Sequence, residues 1–222
     1  MTYSIVIPSN NATRLRKCVT SILNRHVHSN IIVVDDGVKK DWTSEDPEVL
    51  FVPGIQPFIY ARNANIGIVT AGCRDVVLMG DDCTVKTPMA FDILSSTAER
   101  PRVGCVSAAI DGPVGNTLQQ RKTNGSVRES AVQLCFVCVY LPRKAIDLVG
   151  LLDEQFDGYG FEDTDWCWRA QTAGLRLLID DCAVVKHNEP GMESAFRSKP
   201  NYAELGQRGL ELARKKWPGR LP

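Results

Sequence analysis

Ser4-Ile-Val-Ile-Pro-Ser-Asn-Asn11 and, further on, Ile31-Ile-Val-Val-Asp-Asp-Gly37 are the two stretches that decide the fold. The first is a short apolar run halted by Pro8, the pattern of a parallel strand buried on both faces. Between the two, Leu15, Cys18, Val19, Ile22 and Leu23 recur at helical spacing, which predicts a helix over 13–24 with one apolar face. Ile31 to Val34 is the next strand. Strand, helix, strand in this order is a βαβ unit, and ligands of such units lie beyond the carboxyl ends of the strands. Ser9 and Asp36 are thereby brought to one rim.

Outward from this unit the alternation continues. Strands are expected at 49–53, 76–79, 103–109 and 176–179, with a final edge element at Ala183-Val-Val-Lys-His187. Helices are expected at 58–72, after Thr87-Pro88 where proline suits the first helical position, at 143–149 and at 201–217. An apolar run fills 132–141. Residues 111–130 read as a polar loop carrying Arg121, Lys122 and Arg128. No repeat or low-complexity linker interrupts the chain, so its 222 residues suit one α/β domain. Within it the stretches 1–110 and 111–200 form two halves, and 201–222 would add a C-terminal helix.

Lys plus Arg and Asp plus Glu balance at 26 each, so no global field draws the protein to nucleic acid or membrane. The N-terminus enters a strand directly, and no apolar run approaches the length of a membrane span. A cytoplasmic protein is expected. The eight cysteines mostly stand among apolar neighbours, as buried free thiols do. Cys135-Phe-Val-Cys138 has no second Cys or His pair to complete a zinc site, and His26-Val-His28 reads as a loop.

Three places carry chemistry. Gly80-Asp81-Asp82 follows an apolar strand at once, where a solvated turn or an oxygen-ligand site for Mg²⁺ or Mn²⁺ would both fit. His187 stands at a strand end, as a structural residue or as an imidazole ligand of a mixed site. Gly158-Tyr-Gly-Phe-Glu-Asp-Thr-Asp165 is a glycine-hinged loop that drops Glu162, Asp163 and Asp165 into a first helical turn, with Arg169 placed to pair with Asp165. Acidic residues gather at helix starts because the macrodipole favours them, and a carboxylate beside glycines can also serve as a general base. The dinucleotide fingerprint G-x-G-x-x-G after a strand and the P-loop are both missing from the sequence, as are a serine elbow and a Cys–His motif.

Taken in order, Ser4-Ile-Val-Ile-Pro-Ser9, Val34-Asp-Asp-Gly37, Ala61-Arg-Asn-Ala-Asn-Ile-Gly67, Gly80-Asp-Asp82, Leu152-Asp-Glu154, Gly160-Phe-Glu-Asp-Thr-Asp165 with Arg169 and Gly174, and His187 resemble a family 2 inverting glycosyltransferase of the GT-A fold. The resemblance spans roughly residues 3–190. It implies a mostly parallel central sheet flanked by helices, a nucleotide-sugar donor and a Mn²⁺ or Mg²⁺ cofactor. Pro8, Ser9, Asn10 and Asp36 would hold the nucleoside, and Arg62 and Asn65 would shape its pocket. Asp81 and Asp82 would face ribose and metal, with His187 completing the metal shell. Asp163 would be the base that deprotonates the acceptor, and Glu162 and Asp165 would support the loop or touch the acceptor. The pattern departs from the family where Gly80 replaces the first carboxylate of a D-x-D and where Asn10 stands in place of an aromatic. The membrane helices of polymerising relatives do not follow the catalytic stretch.

The resemblance leaves the acceptor open. A saccharide comes first, and a lipid-linked glycan, a protein or a hydroxylated nucleic-acid base follow. The basic stretches 119–128 and 214–220 read as solvated faces that could also touch phosphate. A nucleotidyltransferase and a non-catalytic nucleotide-sugar-binding module are the alternatives. The first has no use for a late carboxylate base, and the second has no use for Asp163 together with Asp82 and His187.

Overall fold

The computed structural model describes residues 3–26, 30–42, 49–112, 117–122, 125–187 and 200–221. His28 and part of the basic loop lie outside them. The opening unit forms as its residues dictate: strand β1 (Tyr3–Ser9), helix α1 (Ala12–Leu23) and strand β2 (Ile31–Asp35). Asn11 starts α1 by accepting the Arg14 N–H on its side chain at 3.0 Å, the usual use of Asn at an N-cap. Then follow β3 (Val49–Pro53), α2 (Tyr60–Thr70), β4 (Asp75–Met79), β5 (Cys83–Val85) and α3 (Ala90–Ala98). The later half holds β6 (Val103–Asp111), β7 (Val127–Ser130), β8 (Cys138–Leu141), α4 (Arg143–Val149), α5 (Glu162–Thr172), β9 (Arg176–His187) and α6 (Tyr202–Lys216).

All the strands join one sheet in the order β3-β2-β1-β4-β8-β6-β9-β5, with β7 added on β9. The β3-β2-β1-β4 half is parallel throughout, so the ends of β1, β2 and β4 open on one rim. β8 runs antiparallel to β4 and β6, while β9 is parallel to β6. Alternate residues of the strands feed two cores. Ile5, Ile7, Ile31 and Val33 meet α1 and α3 through Leu15, Ile22, Phe91 and Leu94. Val6, Ile32, Val34 and Leu78 meet α2, α4 and α5 through Ala64, Ile68, Ile146 and Trp166. Close approach of α2 needs Gly67, because a Cβ there would stand 2.2 Å from Val6 Cγ1.

Three readings of the later chain are corrected. Ala183–His187 is not a separate edge element: β9 is continuous and lies inside the sheet between β6 and β5. Asp180 and Asp181 interrupt its apolar pattern, yet both are buried, because partners from elsewhere satisfy them. Asp180 accepts from Thr97 Oγ1 at 2.7 Å, and Asp181 pairs with Arg128 Nε at 2.7 Å. The stretch 111–130 also holds a strand, β7, antiparallel to β9, where only a loop was expected. In the apolar run 132–141 only Cys138–Leu141 is strand, and Cys135 lies before it.

Candidate active site

Beyond the ends of β1 and β4 opens a cleft of about 420 Å³. Pro8 and Asn10, the Gly80–Asp82 turn, Phe136, the 158–164 loop and His187 all contribute to its wall. The parallel half of the sheet thus supplies one side, and the start of α5 the other.

On the sheet side, the two carboxylates of the turn have separate fates. Asp81 is buried and spent internally: Ser9 Oγ donates to it at 2.7 Å, and Arg14 Nε and Nη2 at 3.0 and 3.2 Å. Burial raises its pKa, and Arg14 and Ser9 oppose that rise. Asp82 turns to the cleft, with Oδ2 3.3 Å from His187 Nε2. Burial pushes the Asp82 carboxyl up, but the His187 hydrogen bond and the charges of His187 and Arg14 hold it below its ordinary value. The strand pairing makes this contact. Cys83 of β5 stands opposite His187 of β9, so a turn and a distant strand end meet. β5 had not been anticipated from the sequence, where three residues after a turn carry little signal.

Asp82, Cys83 and His187 present ligand atoms within 4.8 Å of one another. Two ligands at right angles on an octahedral ion with bonds of about 2.1 Å stand ~3.0 Å apart. The Asp82–His187 separation of 3.3 Å fits that spacing. A carboxylate with an imidazole suits Mn²⁺ better than Mg²⁺, which prefers an all-oxygen shell. The Cys83 thiol, a soft ligand, suits neither; burial first and then Asp82 raise its pKa well above the ordinary range. At Gly80, the departure from D-x-D, a Cβ would lie 2.6 Å from Asp82 Oδ1, the far end of a side chain that can turn aside.

On the other side, α5 starts from Phe161, which adopts left-handed backbone (φ 76°) and offers no side-chain cap. For a non-glycine residue that conformation costs about 1–2 kcal/mol. Glu162 and Asp163 follow it into the cleft wall. Asp163 Oδ2 accepts the Phe136 N–H at 3.2 Å, and Oδ1 accepts from Thr164 N–H and Oγ1 at 2.6 and 3.2 Å. Removal from water raises both carboxyls, Glu162 to about 8, and Asp163 is pulled back by its three donors. The three donors favour the charged form at Asp163, against the effect of burial. Tyr60, also on the wall, has its hydroxyl pKa raised first by burial and then by Glu162, Asp163 and Asp82.

Asp165 does not face the cleft. Its side chain is wholly buried and accepts from Arg169 Nε at 2.8 Å, Lys216 Nζ at 2.8 Å and Trp217 Nε1 at 2.9 Å. It ties α5 to the end of α6. Part of the basic stretch 214–220 is thereby occupied: Lys216 also bridges Asp153, and Arg220 stacks over Trp217 at 5.1 Å. Arg62 donates to the carbonyls of Ile55 and Pro57. Asn65 staples α2 to the 152–154 turn, giving hydrogen bonds to Leu152 O and Glu154 Oε1 at 2.9 Å each. Asp36 gives its N–H to Ser9 O at 3.0 Å, beside the rim. Arg62, Asn65 and Asp36 thus stand around the cleft rather than on its wall, whereas Pro8, Asn10, Asp81, Asp82, Glu162, Asp163 and His187 line it.

Residues 4–144 match the model of glycosyl transferase family 2. The chain belongs to that family. The pre-mycofactocin glycosyltransferase of Mycobacterium tuberculosis is 31% identical, over 83% of this chain and 42% of that protein. An uncharacterized protein of Sinorhizobium fredii is 26% identical, over 96% of this chain and 27% of that protein. The chain therefore spans less than half the length of these curated relatives. Among solved structures, a mannosyltransferase of Pyrobaculum calidifontis superposes with a TM-score of 0.71 at 14% identity, over 96% of this chain and 64% of that one. GalNAc-T7 superposes with a TM-score of 0.68 at 16% identity, over 93% and 48%. The fold is of the GT-A type.

Proposed function

We propose that this chain is a metal-dependent inverting glycosyltransferase that moves a sugar from a nucleotide-diphosphate donor to an acceptor hydroxyl. One observation carries the reading: a single cleft holds the Asp82–His187 pair and the Glu162–Asp163 carboxyls. The mannosyltransferase neighbour is a complex with GDP-Man and Mn²⁺, and GalNAc-T7 one with UDP, GalNAc and Mn²⁺, which supports the donor class and the ion. The chain would divide accordingly, with residues 1–110 holding the donor, 111–200 the acceptor and the base, and 201–222 backing them. All eight cysteines are free, in keeping with a reducing cytoplasm.

In this reading Pro8 and Asn10 border the nucleoside, Ser9 and Asp36 support that rim, and Arg62 and Asn65 keep the surrounding turns in place. A divalent ion held by Asp82 and His187 would supply neutralising charge for the departing diphosphate. Asp163, whose charged form three donors favour, takes the proton of the acceptor hydroxyl. The acceptor oxygen forms its bond to the anomeric carbon as the bond to the diphosphate oxygen breaks, the electron pair leaving with the diphosphate. Attack from the face opposite the leaving group inverts the centre. A nucleotidyltransferase would leave the Glu162–Asp163 pair without a task.

The test is a screen of UDP-, GDP-, dTDP- and CDP-sugars with Mn²⁺, read by donor cleavage and thermal shift. Asp163→Asn should keep donor binding and lower turnover about a hundred- to ten-thousand-fold, the usual range for a lost general base. Turnover within about threefold of the parent, well short of that range, would place the base elsewhere.

A further inference from the structure

The acceptor half of the cleft has a chemistry of its own. Phe58, Tyr60, Tyr159 and Phe161 line it together with Glu162 and Asp163, and each is only partly buried. Two of them are held from behind by α6. Tyr159 packs edge-on against Tyr202 with centroids 4.9 Å apart, and its N–H donates to Leu205 O at 3.2 Å. Phe161 lies so close to Gly209 that a Cβ there would stand 3.1 Å from its ring, and Gly158 would bring a Cβ within 2.4 Å of Leu205 O. The chain holds Phe161 in a backbone conformation suited to glycine, which keeps a ring at this point of the wall.

The cations of the wall are committed elsewhere. Among the described residues that line the cleft the basic ones are Arg14 and His187, and these are bound to Asp81 and Asp82 at 3.0 and 3.3 Å. The acceptor side therefore shows aromatic faces and two neighbouring carboxyls. A phosphate or a nucleic-acid backbone would meet like charge there, and would find no lysine on the described wall. A pyranose fits instead. Its C–H face is apolar and weakly positive and lies well on the negative face of an aromatic ring, while its rim of hydroxyls meets polar groups. Deprotonating one hydroxyl occupies one carboxyl, and the second is left for a neighbouring hydroxyl.

We propose that the acceptor is a neutral pyranoside, seated on Tyr159 and Phe161 with adjacent hydroxyls at Asp163 and Glu162. This rests on the glycosyltransferase reading above and specifies its second substrate.

The experiment uses the whole chain with Mn²⁺ and whichever nucleotide sugar it cleaves. Acceptors are a panel of p-nitrophenyl hexosides and neutral oligosaccharides, sugar phosphates and glycerol phosphate, and hydroxymethylated DNA. Transfer to neutral pyranosides should exceed transfer to the phosphorylated counterparts in kcat/KM by about tenfold or more, the size of one lost favourable contact. Tyr159→Ala and Phe161→Ala should raise the acceptor KM by about tenfold, more than they change the donor KM, and Tyr159→Phe should retain most of the affinity. Donor cleavage with transfer only to phosphorylated or nucleic-acid acceptors, or to no neutral pyranoside, overturns the inference and leaves the transferase reading standing. Failure to bind or cleave any of the nucleotide sugars overturns both.

Discussion

At the scale of single residues, adjacent carboxylates do unlike work because their partners differ. Asp81 is locked to Arg14 and Ser9, whereas Asp82 meets His187 at the cleft. Removing one member of a buried ion pair costs about 3–5 kcal/mol, because the other charge is left uncompensated. Asp81→Asn should therefore lower the melting temperature clearly more than Asp82→Asn, and Asp82→Asn should be the variant that loses metal-dependent donor binding. Equal losses of stability would put both residues in one structural cluster. Glu162 gives a pH prediction. Its folded pKa, about 8, lies above its ordinary 4.5, so the folded state holds a proton that the unfolded chain has released. Its contribution is fully present below about pH 4.5 and is lost as pH rises through 8. Glu162→Gln should thus gain melting temperature relative to the parent between pH 5 and 8.5, and a difference that does not change with pH would show that the carboxyl is not raised. These carboxylates were visible in the sequence because strand, turn and acid are contiguous there. The Arg14 lock was not, since its partners stand 67 residues apart and nothing local marks Arg14 as more than an exposed helix charge.

At the scale of elements, the βαβ opening was legible because its apolar residues repeat with the two clean periods of strand and helix. What was not legible is long-range satisfaction of charge. β9 looked broken at Asp180-Asp181 until Thr97 and Arg128 are seen to accommodate both carboxylates. The end of α6 looked like a solvated basic face, yet Lys216 and Trp217 reach the buried Asp165 at 2.8 and 2.9 Å. These contacts tie the end of α6 to the first turn of α5, two residues from Asp163. Trp217→Phe keeps the ring and removes the donor to Asp165, leaving Lys216 and Arg169 in place. Loss of a hydrogen bond to a charged group costs about 1.5–3 kcal/mol, so the variant should melt roughly 3–12 °C lower. If α6 also orients the base, kcat should fall further than the donor KM changes. A lower melting temperature with unchanged kcat would confine α6 to stability.

At the scale of the whole molecule, the cleft joins two differently built halves. One side of the cleft rests on the parallel sheet, where α2 is drawn against β1 at Gly67, and the other on a loop held by α6 through Gly158 and Gly209; in the proposed reading they take donor and acceptor respectively. Donor and ion should therefore act on stability from one side only. A ligand that binds only the folded state at a hundred times its dissociation constant adds about 2.7 kcal/mol. For a chain of this size each kcal/mol is worth about 2–4 °C, so saturating donor with Mn²⁺ should raise the melting temperature by roughly 5–10 °C. Excess EDTA should remove most of that rise, and Asp82→Ala should remove it even with Mn²⁺ present. Trp217→Phe should start from a lower melting temperature and still show the rise, because its fault lies on the acceptor side. A donor-induced rise that survives EDTA and Asp82→Ala would take the ion out of donor binding. His187 would then be the structural partner of Asp82, held by the pairing of β5 with β9.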